Sequence, residues 1–261
     1  AASLGETTFQ DVNVSSVCGD ITLTIRQALG DTNTIYMILD IALPAHVPMA
    51  EALAAAQSDD GANLIIPAMR GYATGEISWE DIQGKTYEQA ETALQSARFP
   101  GGGFIGVEEK DYDPLTNTMT FLVSLGTDSK SKKLTDQPLT LLVGGMRLER
   151  DGRETTLFEG PLLITFEPAY TAQATTLPLT DAEGNIAGEV MISPFALSAQ
   201  IAFTQYAEFD EFYRDITLVY RDGSIGLPQT MGYGGGGSKP MDKPFYTMLS
   251  IRLQFRKILE L

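Results

Sequence analysis

Cysteine and histidine are nearly absent from this chain of 261 residues, which contains one of each, Cys18 and His46. A single cysteine excludes an internal disulfide and a cysteine-rich zinc site, and a single histidine excludes a multi-histidine metal centre. His46 lies between Pro44 and Pro48 with no nucleophile motif nearby, so no catalytic triad is predicted. We expect no metal ion, no cofactor and no enzymatic activity.

Basic residues and long apolar runs are also scarce. The chain has 18 Lys and Arg against 34 Asp and Glu, which gives a net charge of −16. An acidic surface repels phosphate backbones, so nucleic acid is not expected as a partner. The chain contains no run of about 18 apolar residues, so no membrane-spanning helix is predicted. Residues 1–10 lack the pattern of a signal peptide, so we expect any leader or membrane anchor to lie outside this chain.

Apolar residues instead alternate with polar ones in many short segments, which is typical of strands with one buried face. A hairpin is predicted at residues 21–41, and its second strand carries apolar residues on both faces. Because no helix follows each strand, the pattern favours a mainly β protein built of antiparallel immunoglobulin-like sandwiches. The other predicted strands are centred on residues 119–125, 139–143, 162–166, 190–192, 197–203, 216–220 and 249–255.

Residues 44–116 break this alternation and are interpreted as a helical insertion in the first sandwich. Residues 49–56 (MAEALAAA) have high helix propensity and are followed by the stop signal at 58–61 (SDDG). Thr86 and Gln89 form a capping box, which predicts that a second helix begins there and continues to about Arg98.

Residues 167–173 (EPAYTAQ) have little apolar pattern and mark the predicted domain boundary. An N-terminal sandwich is therefore expected at 1–168 and a C-terminal sandwich at 174–261. Residues 21–41 and 189–203 both predict a strand, a turn and a strand, a pattern that two related sandwiches or two unrelated antiparallel hairpins would equally give. The glycine-rich segment 232–238 is expected to be a hairpin tip.

Several segments resemble a family of unknown function found outside the membrane in anti-sigma-factor-like proteins of Gram-positive bacteria. Its opening strands are similar to residues 11–17 (DVNVSSV), 21–25 (ITLTI), 28–31 (ALGD) and 35–37 (IYM). Its closing strands are similar to residues 139–143, 148–152 and 158–166. Residues 192–197 and 218–224 resemble its companion immunoglobulin-like domain. Such proteins place a sigma-binding segment in the cytoplasm, then a membrane helix, then domains of this kind.

The resemblance implies a sensor or regulatory ectodomain at the cell surface, tethered to the membrane by a segment that this chain lacks. Its partner would be an extracellular ligand or protein. The alternative is a surface module that binds carbohydrate or protein, or a surface hydrolase, built around Trp79, Tyr72, Glu80 and Asp81. Tyr233, in the glycine-rich segment, is a further candidate contact.

Two other features of the sequence receive structural interpretations. Cys18 is predicted to be a buried apolar residue rather than a nucleophile, and Trp79 alone is more often a core residue than a ligand contact. The acidic runs at 108–113 and 181–185 lack the spacing of a calcium-binding loop, so they are interpreted as solvated turns.

Overall fold

Strands dominate the protein, and all the strand pairs described are antiparallel, as the sequence predicted. The structure is a computed structural model that describes residues 10–31, 34–58, 61–97, 104–126, 134, 137–168, 175–180, 186–192, 196–203, 218–219, 225–226, 229–230 and 245–252. The chain divides into two compact units, Thr8–Thr171 and a second unit made of Ala1–Thr7 and Ala172–Leu261.

The first unit is built on a five-stranded sheet, the large sheet, with the strand order β1-β2-β3-β7-β6. Its strands are β1 (Gln10–Cys18), β2 (Ile21–Gly30), β3 (Thr34–Ala42), β6 (Phe104–Asp113) and β7 (Thr118–Gly126). The predicted hairpin forms β2 and β3. Ile35, Tyr36 and Met37 are buried in succession, so β3 is buried on both faces over its first half, as predicted.

Three further chain segments form two short sheets that meet at a corner. The middle sheet has the order β11-β8-β5, and a second three-stranded sheet, the arm, has the order β10-β9-β4. Each segment passes from one sheet to the other, so that β4 leads to β5, β8 to β9 and β10 to β11. The strands are β4 (Ala62–Ile65), β5 (Met69–Tyr72), β8 (Leu139–Val143), β9 (Met146–Arg150), β10 (Arg153–Phe158) and β11 (Leu162–Phe166).

The backbones at this corner approach each other too closely to admit a side chain. A Cβ on Gly160 would lie 2.7 Å from the carbonyl carbon of Gly144, and a Cβ on Gly145 would lie 2.6 Å from the carbonyl oxygen of Phe158. The backbone N–H of Gly144 donates to the carbonyl of Ala68 at 2.7 Å. Glycine at these positions therefore allows the strands to bend together.

The main core of the first unit lies between the large sheet and the middle sheet. Alternate residues of β2, β3 and β7 point into it, and they include Leu23, Leu39 and Phe121, each 0% exposed. The middle sheet contributes Leu141, Ile164 and their neighbours on the same faces. At one end of the opposite face of the large sheet, side chains hydrogen bond to one another, as in Ser15 with Thr24 and Thr120 with Asp40.

Three short helices lie in the region interpreted as a helical insertion. They are α1 (Met49–Ser58), α2 (Trp79–Ile82) and α3 (Tyr87–Ala93), followed by a 3-10 turn at Gln95–Ala97. The first predicted helix is confirmed, and so is the Thr86 capping box, although α3 ends at Ala93 rather than near Arg98. The interpretation of the whole region as helical was wrong, because it also contributes β4, β5 and β6 to three sheets.

The second unit contains another five-stranded antiparallel sheet, with the order β12-β13-β14-β18-β17. Its strands are β12 (Thr175–Thr180), β13 (Ile186–Ile192), β14 (Ala196–Phe203), β17 (Gln229–Thr230) and β18 (Phe245–Arg252). A separate pair joins β15 (Leu218–Val219) to β16 (Ile225–Gly226). Among the helices described, none is long and apolar enough to cross a membrane.

Candidate functional site

A helical layer covers the outer face of the middle sheet, with Tyr72 beneath it and Trp79 within it. We call residues 73–97, with α2, α3 and the 3-10 turn, the cap. The cap encloses a small hydrophobic cluster of Tyr72, Ile82, Ala90, Leu94, Leu142 and Leu163, against which Ile77, Trp79, Tyr87 and Ala97 pack. The middle sheet is thus buried on both sides, and its alternate residues face either the main core or this cluster.

Tyr72 belongs to the interior, whereas Trp79 reaches the surface. Tyr72 ends β5 and is 1% exposed, so a ligand has no access to it while the cap is in place. Trp79 is half-buried and packs against both clusters, and its Cζ2 atom lies near Gly19 in the turn between β1 and β2. Tyr233 lies outside the described residues.

Charged groups beside Trp79 stabilise the start of α2. The Asp81 carboxylate accepts hydrogen bonds from the backbone N–H of Ser78 at 2.8 Å and from its hydroxyl at 3.0 Å. These bonds hold the pKa of Asp81 below its usual value. Hydrogen bonds, first from its own backbone and then from the Ser78 side chain, also lower the pKa of Glu80. Both carboxyls are therefore ionised near neutral pH.

An ion pair and a second tyrosine, which the sequence analysis did not identify, connect the cap to the middle sheet. Arg70 on β5 lies 2.8 Å from Glu91 on α3, measured from Nε to Oε1. Tyr87, at the first position of α3, packs beside Tyr72 and Gly144. The capping box, in which Thr86 and Gln89 bond to each other's backbone N–H groups, positions Tyr87 at the helix start. In the sequence, only this capping box indicates where Tyr87 lies, at the start of a helix.

Burial, with a smaller contribution from the phenol of Tyr72, raises the pKa of Tyr87 to about 12 from an ordinary value of 10.0. A raised folded-state pKa means that the unfolded chain loses its proton first as pH rises. The stabilisation from this group is therefore complete below pH 10 and is lost as pH rises toward 12. We expect Tyr87→Phe to reduce the loss of stability over this window, measured by urea denaturation at a series of pH values. An identical pH dependence in the variant would contradict this assignment.

Cys18 is buried, as predicted, with 3% of its surface exposed. Its Sγ lies 3.5 Å from both the backbone N and the backbone O of Leu163, which fastens the end of β1 to β11. Burial raises the pKa of the thiol. We expect Cys18 to react with a maleimide at least about tenfold more slowly than an exposed cysteine introduced at Leu115, because labelling requires local opening. Equal labelling rates in the native protein would show that β1 opens freely.

The other sequence candidates do not form a reactive centre. His46 is exposed in the loop after β3, and Glu108, Glu109 and Asp111 are exposed along β6 rather than in a turn. Within the described part of the chain, no group of three His, Cys, Asp or Glu side chains is arranged to hold a metal ion. Three of the residues singled out in the sequence, Trp79, Glu80 and Asp81, lie together on the surface of the cap.

Comparisons with known proteins leave the family open. No protein family matches the chain, and no curated protein matches it. The chain is similar to a solved structure described as the conserved domain protein from Bacillus anthracis, with a TM-score of 0.46 and 10% sequence identity. The alignment covers 94% of this chain and 72% of that chain. A similarity of this size carries no inference about function.

Proposed function

We propose that this chain is a non-enzymatic sensor or regulatory ectodomain of a membrane-anchored, anti-sigma-factor-like protein. The observation that carries the proposal is the cap, which rests mainly on its own small cluster and on the Arg70–Glu91 ion pair and contacts the main core through Ala73 and Trp79. In this proposal the cap shifts while the large sheet stays folded. An extracellular ligand or protein that binds one arrangement more tightly would bias the equilibrium and pass a signal toward the membrane.

The carboxyl groups beside Trp79 favour binding over hydrolysis. A glycosidase needs one carboxyl with a raised pKa to act as the general acid near neutral pH. Hydrogen bonds lower the pKa of both Glu80 and Asp81, and Asp81 is used as a helix cap. Neither group has the property that the acid role requires.

We also assign both units to the immunoglobulin-like sandwich class. In the first unit, the main core between the large and middle sheets supports the assignment, since two facing antiparallel sheets around one core are typical of that class. In the second unit, the support is the five-stranded antiparallel sheet.

The proposed location is tested by labelling in intact cells. Leu115 is 94% exposed at the tip of the β6–β7 hairpin, so Leu115→Cys in the full-length protein gives an accessible thiol. We expect a membrane-impermeant maleimide to label this variant in intact Gram-positive cells. The native protein, whose only cysteine in this chain is the buried Cys18, is the control. Labelling that appears only after lysis would contradict an extracytoplasmic location.

The proposed regulation is tested with a matched pair of variants. Glu91→Gln removes the charge that connects α3 to Arg70, whereas Glu108→Gln removes the partner of Lys110 on the edge strand β6 of the large sheet. We expect the first variant to change the output of a reporter for the neighbouring sigma factor and the second to leave it unchanged. If deletion of the whole gene leaves the reporter unchanged, the regulatory proposal is wrong.

A surface module that binds carbohydrate or protein is the second candidate, and the partial exposure of Trp79 favours it. An exposed indole stacks well on sugar rings and on partner side chains. Because Trp79 is the only tryptophan, intrinsic fluorescence reports on this position alone. A saturable emission shift with soluble cell-wall polysaccharide would favour this candidate. No shift with any wall fraction would remove the carbohydrate version.

A further inference from the structure

The five-stranded sheets of the two units have the same strand order. In the first unit, the first three strands of the sheet, β1, β2 and β3, pair in order. The fifth strand in the chain, β7, pairs with the third, and the fourth, β6, lies at the edge beside β7. The second unit repeats this arrangement with β12, β13, β14, β18 and β17 in place of β1, β2, β3, β7 and β6. In both sheets, the long connection occurs between the third and fourth strands.

The agreement extends to register. One row of paired residues in the large sheet runs Gly30, Ile35, Leu125 and Ile105. The corresponding row of the second sheet runs Ile192, Leu197, Ile251 and Thr230. In both sheets, the first residue of the third strand and the first residue of the fourth strand pair with the last residue of the fifth.

Two of the four connections also have matching lengths, whereas the first leaves two residues between Cys18 and Ile21 and five between Thr180 and Ile186. Four residues separate Gly30 from Ile35, and four separate Ile192 from Leu197. The step from the fourth to the fifth strand covers 20 positions between Ile105 and Leu125 and 21 positions between Thr230 and Ile251. Register is set locally by side-chain pattern and turn geometry rather than by strand order, so the shared register at this end of the two sheets is a second, separate agreement.

We propose that the two units are copies of one ancestral five-stranded module, produced by internal duplication. Gly30 corresponds to Ile192, Ile35 to Leu197, Leu125 to Ile251 and Ile105 to Thr230. This inference is independent of the proposed function, and it uses only strand positions and pairing.

The duplication separates what the units share from what the first unit has added. Both contain the module, but the connection between the third and fourth strands spans 43–103 in the first unit and 204–228 in the second. The longer connection carries α1, β4, β5 and the cap. The candidate surface around Trp79 therefore lies in this longer connection rather than in the module itself.

An experimental structure of the full chain tests the duplication directly. Superposing the two sheets on the four pairs of equivalent residues should bring the Cα atoms of each pair to within about 2 Å, which is less than the rise of about 3.4 Å per residue along a strand. A best fit that shifts any strand by one residue or more, or that requires a different strand order, would overturn the proposal.

A pair of variants tests the same equivalence in solution. Ile35 is 0% exposed in the main core, so Ile35→Asn should abolish hydrogen-exchange protection in β2, β3 and β7. If Leu197 occupies the equivalent position, Leu197→Asn should do the same to β13, β14 and β18. Gln200→Asn, at a position of opposite parity on β14, is the control and should keep protection. Full protection in Leu197→Asn, or equal loss in the control, would contradict the equivalence.

Discussion

Gly160→Ala is expected to destabilise the first unit by about 3 kcal/mol, because the added methyl group has no space at the corner between the arm and the middle sheet. Three backbone atoms of Gly144 and Gly145 lie 2.7–2.9 Å from the position of the new Cβ. Backbone atoms cannot rotate away as a side chain can, so the strands must separate. Urea denaturation followed by the fluorescence of Trp79 measures the loss.

Gly84→Ala is the matched control for this substitution. Gly84 has a φ of +77°, and no atom lies within 4 Å of its added Cβ, so the variant tests conformational strain without a clash. We expect a cost of about 1 kcal/mol from the left-handed backbone. If Gly160→Ala lowers the free energy of unfolding no more than Gly84→Ala does, the backbones at the corner are not as close as the structure shows.

Phe121→Ala is expected to cost the first unit 3–5 kcal/mol, roughly the range for deleting a buried aromatic ring. Phe121 lies on β7, is 0% exposed, and belongs to the main core between the two sheets. The surrounding β strands are held by hydrogen bonds to their neighbours, so they can close only part of the cavity. The same denaturation experiment gives the free energy of unfolding.

Leu115→Ala provides the comparison for Phe121→Ala on the same hairpin. Leu115 is 94% exposed, in a turn where the carboxylate of Asp113 accepts the backbone N–H of Leu115. Its truncation removes little buried surface, and we expect a change within about 0.5 kcal/mol. Similar losses of stability for the two variants would contradict the burial of Phe121 and the exposure of Leu115.

The elements predicted well are those in which local pattern and tertiary environment agree. The first half of β2 alternates as predicted because one of its faces meets the main core, and β3 is buried on both faces over its first half because apolar residues follow one another there. The Thr86 capping box worked because its hydrogen bonds are confined to four consecutive residues. These signals depend on near neighbours in the chain, so one sequence is enough to identify them.

β6 was missed for the opposite reason. It lies at an edge of the large sheet, and residues 108–111 carry exposed charged side chains that hide the apolar alternation. β4 and β5 have four residues each, which is too short for a period to be visible. Their strand conformation comes from pairing with β9 and β8, far away in the sequence.

The candidate site was predicted only in part, since its geometry depends on long-range packing. Trp79 was identifiable as a lone tryptophan, but the burial of Tyr72 depends on the helices that follow it in the chain. The Arg70–Glu91 pair joins a strand to a helix that lies about 20 residues later in the chain, and no local spacing rule predicts such a pair.

The charged residues of β6 also affect how the protein behaves at high concentration. Within the described residues, β6 pairs only with β7, so its other edge has backbone groups to which a second chain could add a strand. A register shift between Glu109 and Asp111 bends this edge, and Lys110 pairs with Glu108 on it. Strand addition would have to straighten the bend and desolvate these charges. β6 thereby makes edge-to-edge aggregation through the large sheet unfavourable.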